Sequence, residues 1–216
     1  KKFVVRHDVF QKLFQDIKSS DMTKPERHYL IEGQRGTGKT TLLLRLNYEI
    51  ENDSDLQNWL IPIVLKEEAY YGIRHLFKLW KTVAQELEVK DKAFSGLVRQ
   101  MSDSYNGSQT SSFGTTSYEQ TCFEILINAL KNRSKKIILF IDNLGEMLRN
   151  FSDQENLRFR EVLTNSTYLR LIGATPVVFE ALQKENLVFY HFFKTIQLEG
   201  LNKEETRNLL LELAKT

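Results

Sequence analysis

The sequence has a single cysteine, Cys122, and this scarcity excludes an internal disulfide and a cysteine-based zinc site. The four histidines lie far apart in sequence and form no local metal-ligand motif. The longest apolar run is 137–141, whereas a membrane-spanning helix needs about 20 residues. The first eight residues lack the apolar stretch of a signal peptide. These absences predict a soluble, cytoplasmic chain with no membrane partner.

Neither sign of charge dominates, because 30 Lys and Arg residues stand against 28 Asp and Glu residues, for a formal net charge of +2. This balance argues against a nucleic-acid binder that works through a bulk positive field, although local basic patches remain compatible with it. With 216 residues, 41% of them hydrophobic, the chain is long enough to bury one sizeable core. It starts at Lys1 without Met and stops at Thr216 inside a predicted helix, which indicates a piece of a longer protein.

Short apolar segments alternate with longer amphipathic ones, which is typical of a parallel β-sheet with crossover helices. The nearly continuous apolar character of the predicted strands indicates burial on both faces; they are 28–32, 60–66, 136–141, 168–173 and 193–198. The predicted helices are 7–20, 40–52, 73–89, 118–133, 153–165, 176–185 and one that follows Asn202 as N-cap. We expect a loosely docked helix within 91–105 and a mobile Gly/Ser/Thr-rich loop at 106–117.

A phosphate-binding loop is predicted between the first strand and the helix that follows it. Residues 33–40 read GQRGTGKT and fit the Walker A pattern G-x-x-x-x-G-K-[ST] at every fixed position. Gly36 and Gly38 allow successive backbone N–H groups to converge on an anion at a helix N-terminus. Lys39 is predicted to bind the β- and γ-phosphates of ATP, and the Thr40 hydroxyl to bind Mg²⁺. The alternative is a glycine-rich turn with an ordinary exposed lysine. The predicted nucleotide-binding residues are Gly33, Gln34, Arg35, Gly36, Thr37, Gly38, Lys39, Thr40 and Thr41.

An acidic residue after a buried strand supplies the second half of this predicted site. The apolar run 137–141 ends in Asp142, which is the Walker B pattern. We expect the strand to lie adjacent to the first strand and Asp142 to hold Mg²⁺ through a water molecule. The alternative role for Asp142 is to cap the following helix.

Two further residues, Asn143 and Thr175, complete the candidate catalytic set with Lys39 and Asp142. Asn143 stands where many such ATPases have Glu, and an amide can orient the attacking water but cannot accept its proton. We therefore expect slow turnover, or a nucleotide used as a switch. Glu146 is the nearest carboxylate, although a solvated helix residue is the favoured interpretation. Thr175 either contacts the γ-phosphate or the attacking water, or caps the helix started by Pro176, and both roles are compatible.

No arginine finger is assigned from the sequence. The candidates are Arg158, Arg160 and Arg170 before the fourth strand and Lys194 before the fifth. Surface arginines on helices are usually solvated, and this is the favoured interpretation here.

The motif order resembles the AAA+ ATPases and, within them, the branch of origin-recognition initiators and STAND signalling ATPases. Residues 3–6 (FVVR) resemble that branch's F-V-G-R box, and 198–205 (LEGLNKEE) resemble the entry to its helical lid. The resemblance implies an α/β P-loop NTPase fold with three α/β/α layers and a parallel five-stranded sheet in the order 5-1-4-3-2. It also implies a nucleotide-binding domain over 1–200, the start of a truncated lid over 201–216, and a sensor 1 role for Thr175.

The predicted function is an Mg-ATP-binding, slowly hydrolysing module that acts as a nucleotide-dependent switch in a larger AAA+/STAND-like protein. One alternative is a DNA-associated regulator of the initiator or transposition type. Another is a nucleotide-binding scaffold without turnover. The expected partners are ATP and ADP, the protein's own lid and further domains, and other copies of the chain; the charge does not indicate DNA.

Overall fold

The computed structural model describes residues 6–65, 72–108, 115–176 and 188–214. All strand pairs in its single five-stranded sheet are parallel. The strands are β1 Tyr29–Glu32, β2 Leu60–Leu65, β3 Lys136–Ile141, β4 Leu169–Thr175 and β5 Lys194–Gln197, in the spatial order β2-β3-β4-β1-β5. Read from the opposite edge, this is the predicted order 5-1-4-3-2, which is thereby confirmed.

Eight α-helices occur in the described residues. They are α1 His7–Lys18, α2 Lys39–Asn52, α3 Leu76–Lys90, α4 Leu97–Ser108, α5 Thr115–Lys131, α6 Leu144–Arg149, α7 Asp153–Asn165 and α8 Lys203–Leu213. Short 3₁₀ turns at Leu56–Asn58 and Lys92–Phe94 precede β2 and α4. Among these elements, no helix is long and apolar enough to cross a membrane.

The sheet separates two apolar cores, because successive side chains of a strand point to opposite faces. Leu30 of β1 packs into the larger core, whereas its neighbours Tyr29 and Ile31 pack into the smaller one. Helices α3 to α7 cover the larger core, and α1 and α2 cover the smaller one. The same alternation places Leu171 of β4 in the larger core and Ile172 in the smaller. The arrangement is a three-layer α/β/α sandwich.

Most predicted elements agree with the structure to within three residues, but the expected neighbour of β1 is wrong. Strand β4 lies between β1 and the Walker B strand β3, and β1 pairs with β4 and β5. Strand β5 also differs from the expected buried strand, because it forms one edge of the sheet and Thr195 and Gln197 are exposed.

The segment before the predicted loop is packed more firmly than expected. Phe94 and Met101 are fully buried, so this segment is part of the larger core rather than a loosely docked helix. The predicted loop 106–117 is partly helical, since α4 extends to Ser108 and α5 begins at Thr115. The remainder of that loop and nearly all of the predicted helix 176–185 lie outside the described residues.

The start of α8 agrees with the prediction that Asn202 is its N-cap. The Asn202 side-chain oxygen accepts from the Glu205 backbone N–H at 2.8 Å, and the Glu205 carboxylate accepts from the Asn202 N–H at 2.8 Å. This reciprocal pair is a capping box, which satisfies two backbone donors at the helix start.

Candidate functional site

The predicted phosphate loop connects the end of β1 to the first turn of α2. Gly36 and Gly38 have φ values of 86° and 92°, a left-handed region that glycine adopts without steric cost. Gly33 is required for a different reason, because a Cβ there would lie 2.4 Å from the carbonyl oxygen of Leu198. The loop therefore delivers the N-terminus of a 14-residue helix to the carboxyl edge of the sheet.

Lys39 is the first residue of α2 and is only 7% exposed. Its ammonium donates to the carbonyl oxygens of Gly33 and Gln34, at 2.8 Å each, and so folds back across the loop. Burial lowers the pKa of the Lys39 ammonium, and the nearby Asp142 carboxylate opposes this shift. A buried cation satisfied by neutral carbonyls is well suited to exchange them for phosphate oxygens.

Thr40 and Asp142 are two hard oxygen donors in the pocket lining, and they are in contact. The Thr40 hydroxyl donates to Asp142 Oδ2 at 2.5 Å, and the Asn143 backbone N–H donates to Asp142 Oδ1 at 3.0 Å. These bonds orient the carboxylate toward the start of α2. The pair fits Mg²⁺, which usually takes one or two protein oxygens and completes its shell with phosphate and water.

The turn after β3 has its own packing requirement. Asn143 has φ 53° and ψ 42°, a left-handed conformation in which Asn is enriched several-fold among residues other than glycine. Leu144 then packs against Gly173 of β4, where a Cβ would lie 2.4 Å from Leu144 Cδ2. Asn143 is the residue before α6, so Asp142 is not the N-cap of that helix.

A pocket of about 480 Å³ opens where these segments meet. The structure brings together eight of the predicted residues in its wall, along with Pro176; the lining is Arg35, Gly36, Gly38, Lys39, Thr40, Thr41, Asp142, Asn143 and Pro176. Gly33, Gln34, Thr37 and Thr175 do not line it. Gly33 and Gln34 act through their carbonyls on Lys39, and the Thr37 hydroxyl donates to Gln34 O at 2.9 Å.

Thr175 is buried at the carboxyl end of β4, one residue before the pocket-lining Pro176. Its register partner on β1 is Glu32, which is only 4% exposed and immediately precedes Gly33. Glu32 accepts a hydrogen bond from the side-chain amide of Gln197, its register partner on β5. Burial raises the pKa of the Glu32 carboxyl, and the Gln197 hydrogen bond opposes that shift.

Glu32 and Gly173 are not among the residues that the motifs predict to be functional. A glycine inside an apolar strand is a sequence signal for close approach of another segment, and this signal was available at Gly173. Glu32 carries no comparable signal, since its burial depends on strands that are distant in sequence.

None of the candidate arginines lines the pocket. Arg158 bonds the carboxylates of Glu119 and Glu161, and Arg160 bonds the carbonyl of Val188. Arg170 contradicts the interpretation of a solvated surface residue, because it lies within β4, is 1% exposed and bonds Asp16 of α1. It lies at the opposite end of β4 from Thr175.

Neither a protein-family model nor a curated protein matches the sequence. Solved structures do match, and two of them are from Aeropyrum pernix: the ORC1 protein in complex with DNA and the ORC2 protein in ADPNP-ADP complexes. Both align with a TM-score of 0.67, at 14% and 11% identity, over 99% and 98% of this chain. Cdc6p from Pyrobaculum aerophilum aligns with a TM-score of 0.59 at 16% identity over 100% of this chain.

At these identities the similarity establishes the fold, which is the α/β fold of archaeal ORC and Cdc6 structures. This agrees with the origin-recognition side of the resemblance seen in the motifs. The chain spans about half the length of these structures, since it covers 50%, 52% and 50% of theirs.

Proposed function

We propose that this chain is an Mg-ATP-binding, AAA+-type module that works as a nucleotide-dependent switch and hydrolyses ATP slowly. The observation that carries the proposal is the Thr40 to Asp142 hydrogen bond, because it joins the Walker A and Walker B residues at the mouth of one pocket. The ADPNP-ADP complexes of the structurally similar ORC2 protein add support.

In the bound state, the backbone N–H groups of the loop would surround the phosphates, and Lys39 would exchange two carbonyls for β- and γ-phosphate oxygens. Thr40 and Asp142 would hold Mg²⁺, which neutralises charge on the transferring phosphate when bound. Thr175 would serve as the polar sensor at the end of β4. The domain would span 1–200, with 201–216 opening a helical lid.

The experiment is calorimetric titration of the chain with Mg-ATP, beside the Lys39→Ala variant and the control Lys12→Ala. Lys12 is exposed on α1 and is not part of the pocket lining. Lys12→Ala therefore removes one positive charge, as Lys39→Ala does, but leaves the phosphate loop intact. We expect Lys39→Ala to abolish measurable ATP binding with its unfolding transition retained, and Lys12→Ala to bind like the unmodified chain. Equal ATP affinity in all three proteins would refute the assignment.

A second candidate function is a DNA-associated regulator, and the observation that favours it is the structural similarity to an ORC1 protein in complex with DNA. Anisotropy titration of duplex DNA at two salt concentrations tests this, because phosphate contacts release counterions and weaken steeply with salt. Absence of salt-dependent binding would reject it. Sedimentation with and without Mg-ATP tests the expected self-association.

A further inference from the structure

Among the residues that the structure describes, those lining the pocket provide no free carboxylate to accept the proton that the attacking water must lose. Asn143 is an amide, and the carboxylate of Asp142 is engaged by Thr40 and by the Asn143 N–H. The Glu146 side chain is 50% exposed and bonds Arg149 at 3.1 Å. Hydrolysis at this pocket would therefore require a carboxylate from another element.

Glu32 is a buried carboxylate at the carboxyl end of the sheet, and it lies behind the pocket lining rather than in it. It is the last residue of β1 and directly precedes Gly33, so it lies at the base of the phosphate loop. The parallel register sets Thr175 on one side of it and Gln197 on the other, at a strand spacing of about 4.8 Å.

The face on which Glu32 lies also fits a role at the γ-phosphate. Side-chain alternation places Glu32 on the same face as Leu30, and Thr175 on the same face as Leu171. That face carries the larger core, into which Leu144 packs directly after Asn143. Asp142 bonds Thr40 of α2, which covers the opposite face. Glu32 and Thr175 are thus neighbours on the face of the sheet opposite to α2, and Leu144, directly after Asn143, packs on that same face against Gly173.

The environment of Glu32 suits a proton acceptor. Burial raises the pKa of its carboxyl, and a more basic carboxylate accepts a proton more readily. The hydrogen bond from the neutral Gln197 amide opposes this shift. The charged side chains on the adjoining elements include Arg35 and Lys39 of the loop and α2, Asp142 after β3, Arg170 in β4 and Lys194 in β5. Near Leu198, Arg6 bonds the Glu199 carbonyl.

We propose that Glu32 is the carboxylate that accepts the proton of the attacking water, the role that Asn143 cannot fill. This inference rests on the proposed function. The water oxygen bonds to the γ-phosphorus while the bond from that phosphorus to the bridging oxygen breaks, and its electron pair leaves with ADP. One water proton passes to Glu32, which returns it to solvent after inorganic phosphate departs. Thr175, beside Glu32, orients the same water.

The test compares Glu32→Gln with the control Glu146→Gln in single-turnover phosphate release at saturating Mg-ATP, with ATP affinity measured separately by calorimetry. Glutamine keeps the shape of Glu32 but cannot take the proton. We expect the Glu32→Gln rate to fall by about 10²-fold or more, with ATP affinity within about threefold of the unmodified chain. Glu146→Gln should retain the rate.

The pH dependence of phosphate release distinguishes proton transfer by Glu32 from a purely structural role, because a structural role would leave it unchanged. The rate of phosphate release should rise as the pH passes through the raised pKa of Glu32. Glu32→Gln should lose this rising limb of the pH–rate profile. Gln197→Leu removes the hydrogen bond that lowers that pKa, so the limb should move to higher pH. This second variant also tests the proposal if Glu32→Gln does not fold.

Three results would overturn the proposal while the nucleotide-binding function stands. These are an unchanged rate in Glu32→Gln, a pH limb that is unmoved in Gln197→Leu, or ATP binding by the unmodified chain without any phosphate release. Parallel loss of affinity and rate in Glu32→Gln would likewise assign Glu32 a structural role. Failure of the unmodified chain to bind ATP would instead contradict the proposed function itself.

Discussion

Replacement of Gly173 by alanine should displace the turn that carries Asp142, although Gly173 itself lies outside the pocket lining. The new Cβ would lie 2.4 Å from Leu144 Cδ2 and 3.0 Å from Leu144 Cβ. Real Cβ atoms do not approach so closely, so the Leu144 side chain, or α6 with it, must shift away from β4. Gly173 lies inside β4 and Leu144 is 1% exposed, so neither position can relax into solvent.

Overpacking of this kind costs about 1 to 3 kcal/mol of folding free energy. In a chain of this size it should lower the melting temperature by about 2 to 12 °C. Because Leu144 follows Asp142 by two residues, the shift should also weaken Mg²⁺-dependent ATP affinity. The control is Gly200→Ala, since a Cβ at Gly200 meets nothing within 4 Å and its φ is not positive.

Calorimetric melting and ATP titration measure both effects. A double variant, Gly173→Ala with Leu144→Ala, removes the closest contact, that with Leu144 Cδ2, and should recover part of the affinity lost in Gly173→Ala. The reasoning is refuted if Gly173→Ala melts and binds ATP like Gly200→Ala, since β4 and α6 would then not be in the contact described.

Three further perturbations test other parts of the account. Burial lowers the pKa of His28 from 6.5 to about 4, and its Nδ1 accepts from the Leu171 N–H while Nε2 donates to the Leu163 carbonyl. Between these two pH values, His28 is protonated in the unfolded chain but not in the folded one. The free energy of unfolding, measured with urea, should therefore fall by about 3 kcal/mol as the pH falls from 6.5 to 4. The decrease should be smaller in His28→Gln. Asn143→Asp should weaken ATP affinity and raise single-turnover phosphate release, whereas Asn143→Glu should also destabilise the fold by about 1 kcal/mol because of its positive φ. Asp142→Asn should weaken the Mg²⁺ dependence of ATP binding without a gain in rate, and equal Mg²⁺ dependence in both proteins would contradict its role.

The sequence predicts the phosphate loop and the Walker B residue because both are local patterns. The motif requires glycines that can adopt positive φ, at Gly36 and Gly38, and a helix that begins at Lys39. Both requirements concern a few consecutive residues, so the sequence alone reveals them. The strand order came from the resemblance of the motif order to AAA+ ATPases, since a five-stranded parallel sheet admits several orders. The expected contact between β1 and β3 was wrong because hydrophobic runs do not specify which strands pair.

The remaining differences arise from contacts between distant segments. Arg170 looks like an ordinary charged residue in sequence, and only its pairing with Asp16, 154 positions away, explains its burial. Phe94, Leu97 and Met101 have helical spacing, but their sequence does not show how firmly the segment packs, which depends on contacts with α3 and α5. Glu32 looks like the exposed polar end of a buried strand until Gln197 and Thr175 are placed beside it.

Amide hydrogen exchange of the chain with and without Mg-ATP most directly tests whether this pocket binds nucleotide. The account predicts slower exchange on ATP addition in the loop 34–41 and at the Asp142 and Asn143 turn, where backbone N–H groups and the magnesium donors meet the phosphates. It also predicts that this protection is absent in Lys39→Ala. Protection confined to other segments, or no change in the loop at saturating Mg-ATP, would contradict it.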